Sequence, residues 1–228
     1  LAVFFFYPLF RILSIGLTST GAQTDHWLLV AADSLSFTLY QATLSTLLTF
    51  LLGLPAAYLF ARFDFRGKSL LRALTAVPFM LPTVVVAAGF NALLGPRGWV
   101  SFLFPLSSFQ ITGTLTAILL AHVFYNTTII IRIVGTALSS LDPKLEQAAR
   151  SLGADSFHVW KNVTLPLLRP SLLAATLLVF LFDFTSFGVI LLLGGSNFST
   201  LEVEIYLRVL KLPNLPLAAL LSIVQLIF

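Results

Sequence analysis

The chain has 228 residues, of which 58% are hydrophobic and only 10% charged. A soluble domain carries about 25% charged residues, so this chain lacks the polar surface to face water on all sides and reads as an integral membrane protein. The absence of cysteine excludes disulfides, thiolate metal sites and a cysteine nucleophile. The net charge of +4 matters less than where it sits.

A membrane-spanning helix needs about 20 apolar residues. Six segments approach or exceed that length: Leu1–Leu17, Ser36–Phe60, Leu70–Leu94, Gly113–Val134, Leu172–Leu193 and Leu215–Phe228. The expected fold is therefore an all-α membrane protein, a polytopic bundle of about six transmembrane helices. The chain starts inside the first segment and stops inside the last, so both ends read as cut from a longer chain. The first segment lacks a basic start and a small-residue cleavage site, which argues against a signal peptide. Residues 1–35 then hold a first helix and an outer loop, and residues 36–228 the core.

Basic residues fix the orientation. Arg62, Arg66, Lys68, Arg72, Arg132, Lys144, Arg150, Lys161 and Arg169 fall on one side, against Arg11, Arg97, Arg208 and Lys211 on the other. Such a bias places the richer side, with the loops Arg62–Arg72 and Thr136–Pro170, in the cytoplasm. Prolines at 55, 78 and 82 interrupt the apolar segments and predict kinks. Gly67-Lys68-Ser69 imitates the end of a phosphate-binding loop. That motif needs a glycine five residues before Gly67, where Arg62 stands, so a plain basic loop explains it better.

The longest polar interval is "LDPKLEQAARSLGADSFHVWKNVTLPLLRP", Leu141–Pro170. Asp142 is placed to cap a helix whose first residue is Pro143. Gly153 suits the left-handed residue that ends it. A second short helix is predicted over Ser156–Asn162, stopped near Pro166. Ala148, Ala149 and Gly153 would let a partner approach the backbone closely. Leu145, Leu152, Phe157 and Trp160 offer apolar contacts, and Lys144, Glu146 and Arg150 offer charges to a partner or to water. A connector packed on its own bundle explains the pattern as well as a docking loop does. Connections usually need only a few residues, which favours docking.

This loop resembles the EAA loop of binding-protein-dependent ABC import permeases of the type-1 fold. That pattern is Glu-Ala-Ala, three residues, Gly, nine residues, then an aliphatic, any residue, Leu-Pro. Here Gln147-Ala148-Ala149, Gly153 and Val163-Thr164-Leu165-Pro166 hold the same spacing. Gln147 replaces the usual Glu, with Glu146 one step earlier. "TLYQATLSTLLTFLLGLPAAYLFAR" (Thr38–Arg62), "AHVFYN" (Ala121–Asn126), "FDFTSFGVILLLGG" (Phe182–Gly195) and "STLEVEIY" (Ser199–Tyr206) are similar to the iron(III)- and thiamine-type permeases. Those chains often fuse two such halves, and one EAA loop implies one half.

The resemblance implies a multi-pass transport subunit of a bacterial plasma (inner) membrane, without catalysis or cofactor of its own. Its implied partners are a separate ABC ATPase, a second permease half or homologous permease, a periplasmic or lipid-anchored solute-binding protein, and membrane lipid; nucleic acid is not among them. The implied ATPase-coupling residues are Glu146, Gln147, Ala148, Ala149, Gly153, Val163, Leu165 and Pro166.

Asp183 is the acid placed within a span, where a carboxylate is costly and faces a cavity or the bundle interior. With Thr185, Ser186 and Asn91 it is a candidate lining of the substrate path, and a structural hydrogen bond is the equal alternative. His122 reads as an interhelical hydrogen bond, and His26 and His158 show no metal pattern. The acids Glu202 and Glu204 read as water-facing. An ion-coupled secondary transporter is the alternative function. It needs several polar groups at the midplane, and Asp183 is the clear one. An intramembrane aspartyl protease needs a second carboxylate, and a metalloprotease needs His-Glu-x-x-His, which is absent.

Overall fold

The computed structural model describes residues 2–18, 26–103, 111–195 and 197–228; no strand occurs among them. The outer loop expected before residue 35 lies partly at 19–25, outside the described residues. The elements are α1 (Ala2–Thr18), α2 (Trp27–Arg62), α3 (Lys68–Met80), α4 (Thr83–Leu94), α5 (Trp99–Leu103) and α6 (Leu115–Ser140), followed by α7 (Pro143–Ser151), α8 (Ser156–Val159), α9 (Leu165–Phe184), α10 (Gly188–Leu193), α11 (Leu201–Leu210) and α12 (Leu215–Ile227).

Trp27–Arg62, Leu115–Ser140 and Ser156–Phe184 are long and apolar enough to cross a membrane, and α3 with α4 would make a fourth, broken span. Helices α1 and α12 are apolar but shorter. The expected segment Leu70–Leu94 is thus two helices. Pro82 disfavours helical dihedrals at the residue before it, and Leu81 is extended, with φ −83° and ψ 145°. The segment Leu172–Leu193 is also divided, between α9 and α10. Gly188 opens α10 at a tight contact, where a Cβ would lie 2.8 Å from the Thr83 hydroxyl. At the other end, α2 begins at Trp27, so the boundary expected at residue 35 falls inside a continuous helix.

The short helix expected over Ser156–Asn162 does not stop at Pro166. One π turn, Trp160–Thr164, joins α8 to α9, and the Leu165 N–H bonds the Trp160 carbonyl five residues back. A wider turn relieves the clash between a proline ring and the carbonyl four residues earlier. The helix therefore passes Pro166 and carries Pro170 inside it.

Along stretches of α2 and α9 the burial pattern is inverted relative to a soluble bundle. On α2 the buried residues include Gln41, Ser45, Thr46 and Thr49, while Leu47 and Leu51 are exposed. On α9, Ala175, Val179 and Asp183 are buried, and Leu173, Leu177 and Leu181 point outward. Small and hydroxyl-bearing residues inside, with leucines outside, is what packing in lipid selects.

The chain forms two compact units, neither of them one continuous stretch. The first comprises Leu1–Gln41, Thr83–Ile118 and Phe184–Phe228. Its core joins Ala31 of α2 to Leu201 of α11 and to Leu217 and Leu221 of α12. The buried Thr38 hydroxyl accepts from the Leu201 N–H at 3.1 Å and so satisfies the start of α11. Glu202 accepts from Gln225 and Glu204 from Arg208, at 2.9 and 2.7 Å. These acids are held by partners rather than left to water.

The second unit comprises Ala42–Pro82 and Leu119–Asp183. Ala57 of α2, Ile129, Ile130 and Val134 of α6, and Ala175 and Val179 of α9 form its core. Gly53 lets α2 approach α6: a Cβ there would lie 2.8 Å from Cβ of Ile130. Phe79 stacks against Tyr125 and Phe182, centroids 5.5 and 5.7 Å apart, closing the same bundle.

Candidate functional site

All of the loop Pro143–Thr164 belongs to the second unit. Asp142 caps α7 by accepting from the Lys144 N–H at 2.9 Å, and Pro143 occupies the first turn. Gly153 has φ +88°. The Gly153 N–H bonds the Arg150 carbonyl and the Ala154 N–H bonds that of Ala149, at 2.9 and 3.1 Å. That pair of bonds is a Schellman motif, which uses the left-handed residue to satisfy the last helical carbonyls. Asp155 then caps α8, accepting from the His158 N–H at 2.8 Å. Hydrogen bonds from the His158 backbone and ring hold the Asp155 carboxyl below its usual range. The loop is thus an ordered helix–turn–helix in which each helix start carries a side-chain cap.

Glu146 behaves differently from the sequence expectation. It is not offered to a partner or to water; it forms an ion pair with Arg62 at the end of α2. The same carboxylate accepts from the Thr164 hydroxyl at 3.1 Å. One side chain on α7 therefore ties the loop to α2 and to the π turn. The basic loop residues Lys144, Arg150 and Lys161 are exposed. Behind α7 lies a cavity of about 610 Å³, lined by Tyr58, Val134, Leu138, Trp160 and Leu168, with Arg62, Glu146 and Arg150 as its charged groups. Tyr58 meets Trp160 edge to face at 6.1 Å.

The motif residues fall on a common excursion. Gln147, Ala148 and Gly153 are exposed, and Ala149, Val163, Leu165 and Pro166 are half-buried. Leu145, Leu152 and Phe157 expose 47%, 90% and 66% of their surface. A Cβ added at Gly153 would meet nothing within 4 Å, so the turn has open space beside it.

Asp183 is fully enclosed. Its carboxylate accepts from the Asn126 amide at 2.7 Å. Nδ1 of His122 is 3.4 Å away and also 3.0 Å from the Ser45 hydroxyl. Helices α2, α6 and α9 thus share one buried polar cluster, and His122 is held by hydrogen bonding as its sequence context implied. Thr185 is exposed and Ser186 buried, in the break after α9; Asn91 is exposed on α4. Those three belong to the first unit and Asp183 to the second. Among the described residues no group of three or more His, Cys, Asp or Glu could hold a metal.

Sequence reading missed Arg62, Thr164 and Ser45 as site residues. Arg62 stood in it only as a topology charge. Its pairing with Glu146 spans 84 positions, and nothing local announces it.

The chain is 35% identical to the thiamine transport system permease protein ThiP of Haemophilus influenzae, over 84% of this chain and 36% of that one. It is 36% identical to a probable molybdenum ABC transporter permease protein of Haloferax volcanii, over 75% of this chain and 61% of the relative. A probable sulfate transport system permease protein of Chlorella vulgaris is 32% identical, over 73% of this chain and 63% of its own length. The chain therefore spans between about a third and two thirds of these relatives. In fold it is similar to a chain from the crystal structure of a bacterial ABC transporter that imports alginate, with a TM-score of 0.77 at 16% identity, covering 99% of this chain and 85% of that one. Residues 49–228 match the family model described as "Binding-protein-dependent transport system inner membrane component", and the chain belongs to that family.

Proposed function

We propose that this chain is a membrane permease, one half of the translocation path of an ATP-driven importer in a bacterial inner membrane. A solute-binding protein delivers the cargo from outside, and hydrolysis takes place on a separate ATPase chain. The observation that carries this reading is the loop Pro143–Thr164, capped, tied down by Glu146 and studded with exposed apolar side chains. Such a loop can transmit a push, because its position is coupled to α2 and α9 rather than left to swing. Thiamine-type cargo is supported by relatives such as ThiP, iron(III) cargo only by the motif resemblance, and neither by any side chain. The direct test is uptake in cells in which the partner ATPase carries a disabled nucleotide site. Loss of uptake supports the reading; uptake sustained by an ion gradient alone would sink it.

Two predictions follow from the loop's placement. Cysteines introduced at Lys68 and Lys144 are expected to resist an impermeant thiol reagent applied outside intact cells. Labelling of both from outside would reverse the topology.

Gly153→Val is expected to leave membrane insertion intact and to weaken docking on the ATPase. The left-handed dihedral costs a non-glycine residue about 1–3 kcal/mol, and a β-branched one pays toward the upper end. The surrounding space is open, so added bulk matters only against a docked partner. Overpacking at a buried contact costs about 1–3 kcal/mol, so co-purification with the ATPase should fall roughly 5- to 150-fold. Undiminished co-purification with normal substrate-stimulated hydrolysis would return the loop to the role of a plain connector.

A further inference from the structure

A second cavity, of about 470 Å³, lies between α3 and α6 with Phe60 of α2 among its walls. Its apolar walls are short: Ala73, Ala76, Ile131 and Gly135. Its polar groups are two arginines, Arg72 and Arg132, and the hydroxyl residues Ser69, Thr136 and Ser139. No acid is among the residues that line it.

The two arginines are held differently. Arg72 donates one N–H to the Phe60 carbonyl at 3.0 Å, and its guanidinium sits 5.8 Å from the Phe60 ring centroid. One contact leaves most of the guanidinium's five donors available. Arg132 is exposed on α6, and α6 runs on to Ser140. At 1.5 Å per residue the guanidinium-bearing residue lies about 12 Å inside that helix end. A cation so placed in a membrane helix needs an anion or a path to the headgroups. No carboxylate lines the cavity, and Asp64, which attracts Arg72, is already paired with Lys68 at 2.7 Å, so the cavity has room for an anion from outside the chain.

The apolar surface of α3 bears on the source. Leu70, Leu71, Leu74 and Val77 of α3 are all exposed, between 46% and 64%. These residues lie on a different side of α3 from Ser69, Arg72, Ala73 and Ala76, so the same helix offers a basic side to a phosphate and an apolar side to acyl chains. Basic pockets between membrane helices on the cytoplasmic side bind anionic headgroups. We propose that this cavity seats the phosphate of an anionic phospholipid, with Arg72 and Arg132 as its cationic contacts and its chains along α3.

This inference rests on the cytoplasmic placement of Arg62–Arg72 proposed above, and its test does not depend on sidedness. The chain, purified in its transporter complex in mild detergent, is titrated with phosphatidylglycerol and with phosphatidylcholine, and the lipid retained is counted by native mass spectrometry. The wild type is expected to retain phosphatidylglycerol in preference to phosphatidylcholine. A basic residue near an anionic headgroup contributes about 1 kcal/mol, so Arg132→Gln should weaken retention roughly fivefold. Arg132→Lys should keep most of it. Arg132 is exposed, so neither change disturbs the core. Equal retention of the two lipids, or unchanged retention in Arg132→Gln, would overturn the proposal. Millimolar inorganic phosphate is the second arm. If phosphate displaces the bound lipid and itself binds in an Arg132-dependent way, the site takes free oxyanions and the lipid assignment fails. Thiol labelling of Lys68→Cys reads topology separately, so a wrong orientation and an absent lipid seat fail in different experiments.

Discussion

Glu146→Ala is expected to abolish most transport while the membrane spans still insert. The pair it breaks is largely shielded: the side chains of Arg62 and Glu146 are 23% and 20% exposed. Exposed pairs are worth about 0–1 kcal/mol, and breaking a fully buried one costs about 3–5 kcal/mol. This pair lies between those limits, so a local cost of roughly 1–3 kcal/mol is expected. The loss concentrates on one joint, because Glu146 also holds the Thr164 hydroxyl. Freed from α2 and from the π turn, α7 can dock without passing its motion on. The signature is specific: ATP hydrolysis continues but is no longer linked to uptake. Arg62→Ala should produce the same defect, and the double variant should be no worse than either single one, because residues in one pair are not additive. Additive losses, or full coupling in Glu146→Ala, would mean that the joint does not transmit.

What the sequence announced was local. Asp142-Pro143 and Gly153 each act through their own backbone, so cap, first turn and left-handed stop could be placed from residue type alone. Proline was harder, because its effect depends on what the neighbouring turn does. Pro82 ends α3 through the extended Leu81, whereas Pro166 is accommodated by a π turn that no residue pattern announces. Apolar length was a good guide to α6 and a poor one to α2, which runs back through Asp33 and Ser34 to Trp27. Long-range pairings were silent. Arg62 and Glu146 read as a topology charge and an exposed loop acid, and only the fold puts them together. The same holds for Ser45, His122, Asn126 and Asp183, on three helices, of which the sequence could say only that each polar group needs a partner.

That cluster gives the second large effect, Asp183→Leu. Leucine has the branching of aspartate but is bulkier, so it overpacks an enclosed site, and it accepts nothing. It would leave the Asn126 amide, 2% exposed as a residue, without its 2.7 Å acceptor, and would set an apolar group beside His122. A buried polar group that loses its partner costs about 1–3 kcal/mol, and two groups are affected, so a loss on the order of 2–5 kcal/mol is expected, with a lower yield of assembled protein. Asp183→Asn separates charge from hydrogen bonding. Its side-chain oxygen can still accept from Asn126, and a single interhelical hydrogen bond in a membrane is worth only about 0.6 kcal/mol on average. Assembly should therefore stay near the wild-type level. Because the carboxylate is enclosed between α2, α6 and α9, uptake should stay within about threefold, the equivalent of about 0.6 kcal/mol. The measurement is uptake normalised to the amount of assembled complex. If Asp183→Asn assembles normally and loses uptake more than tenfold, the charge itself is needed, and Asp183 belongs to the substrate path rather than to the seam between helices.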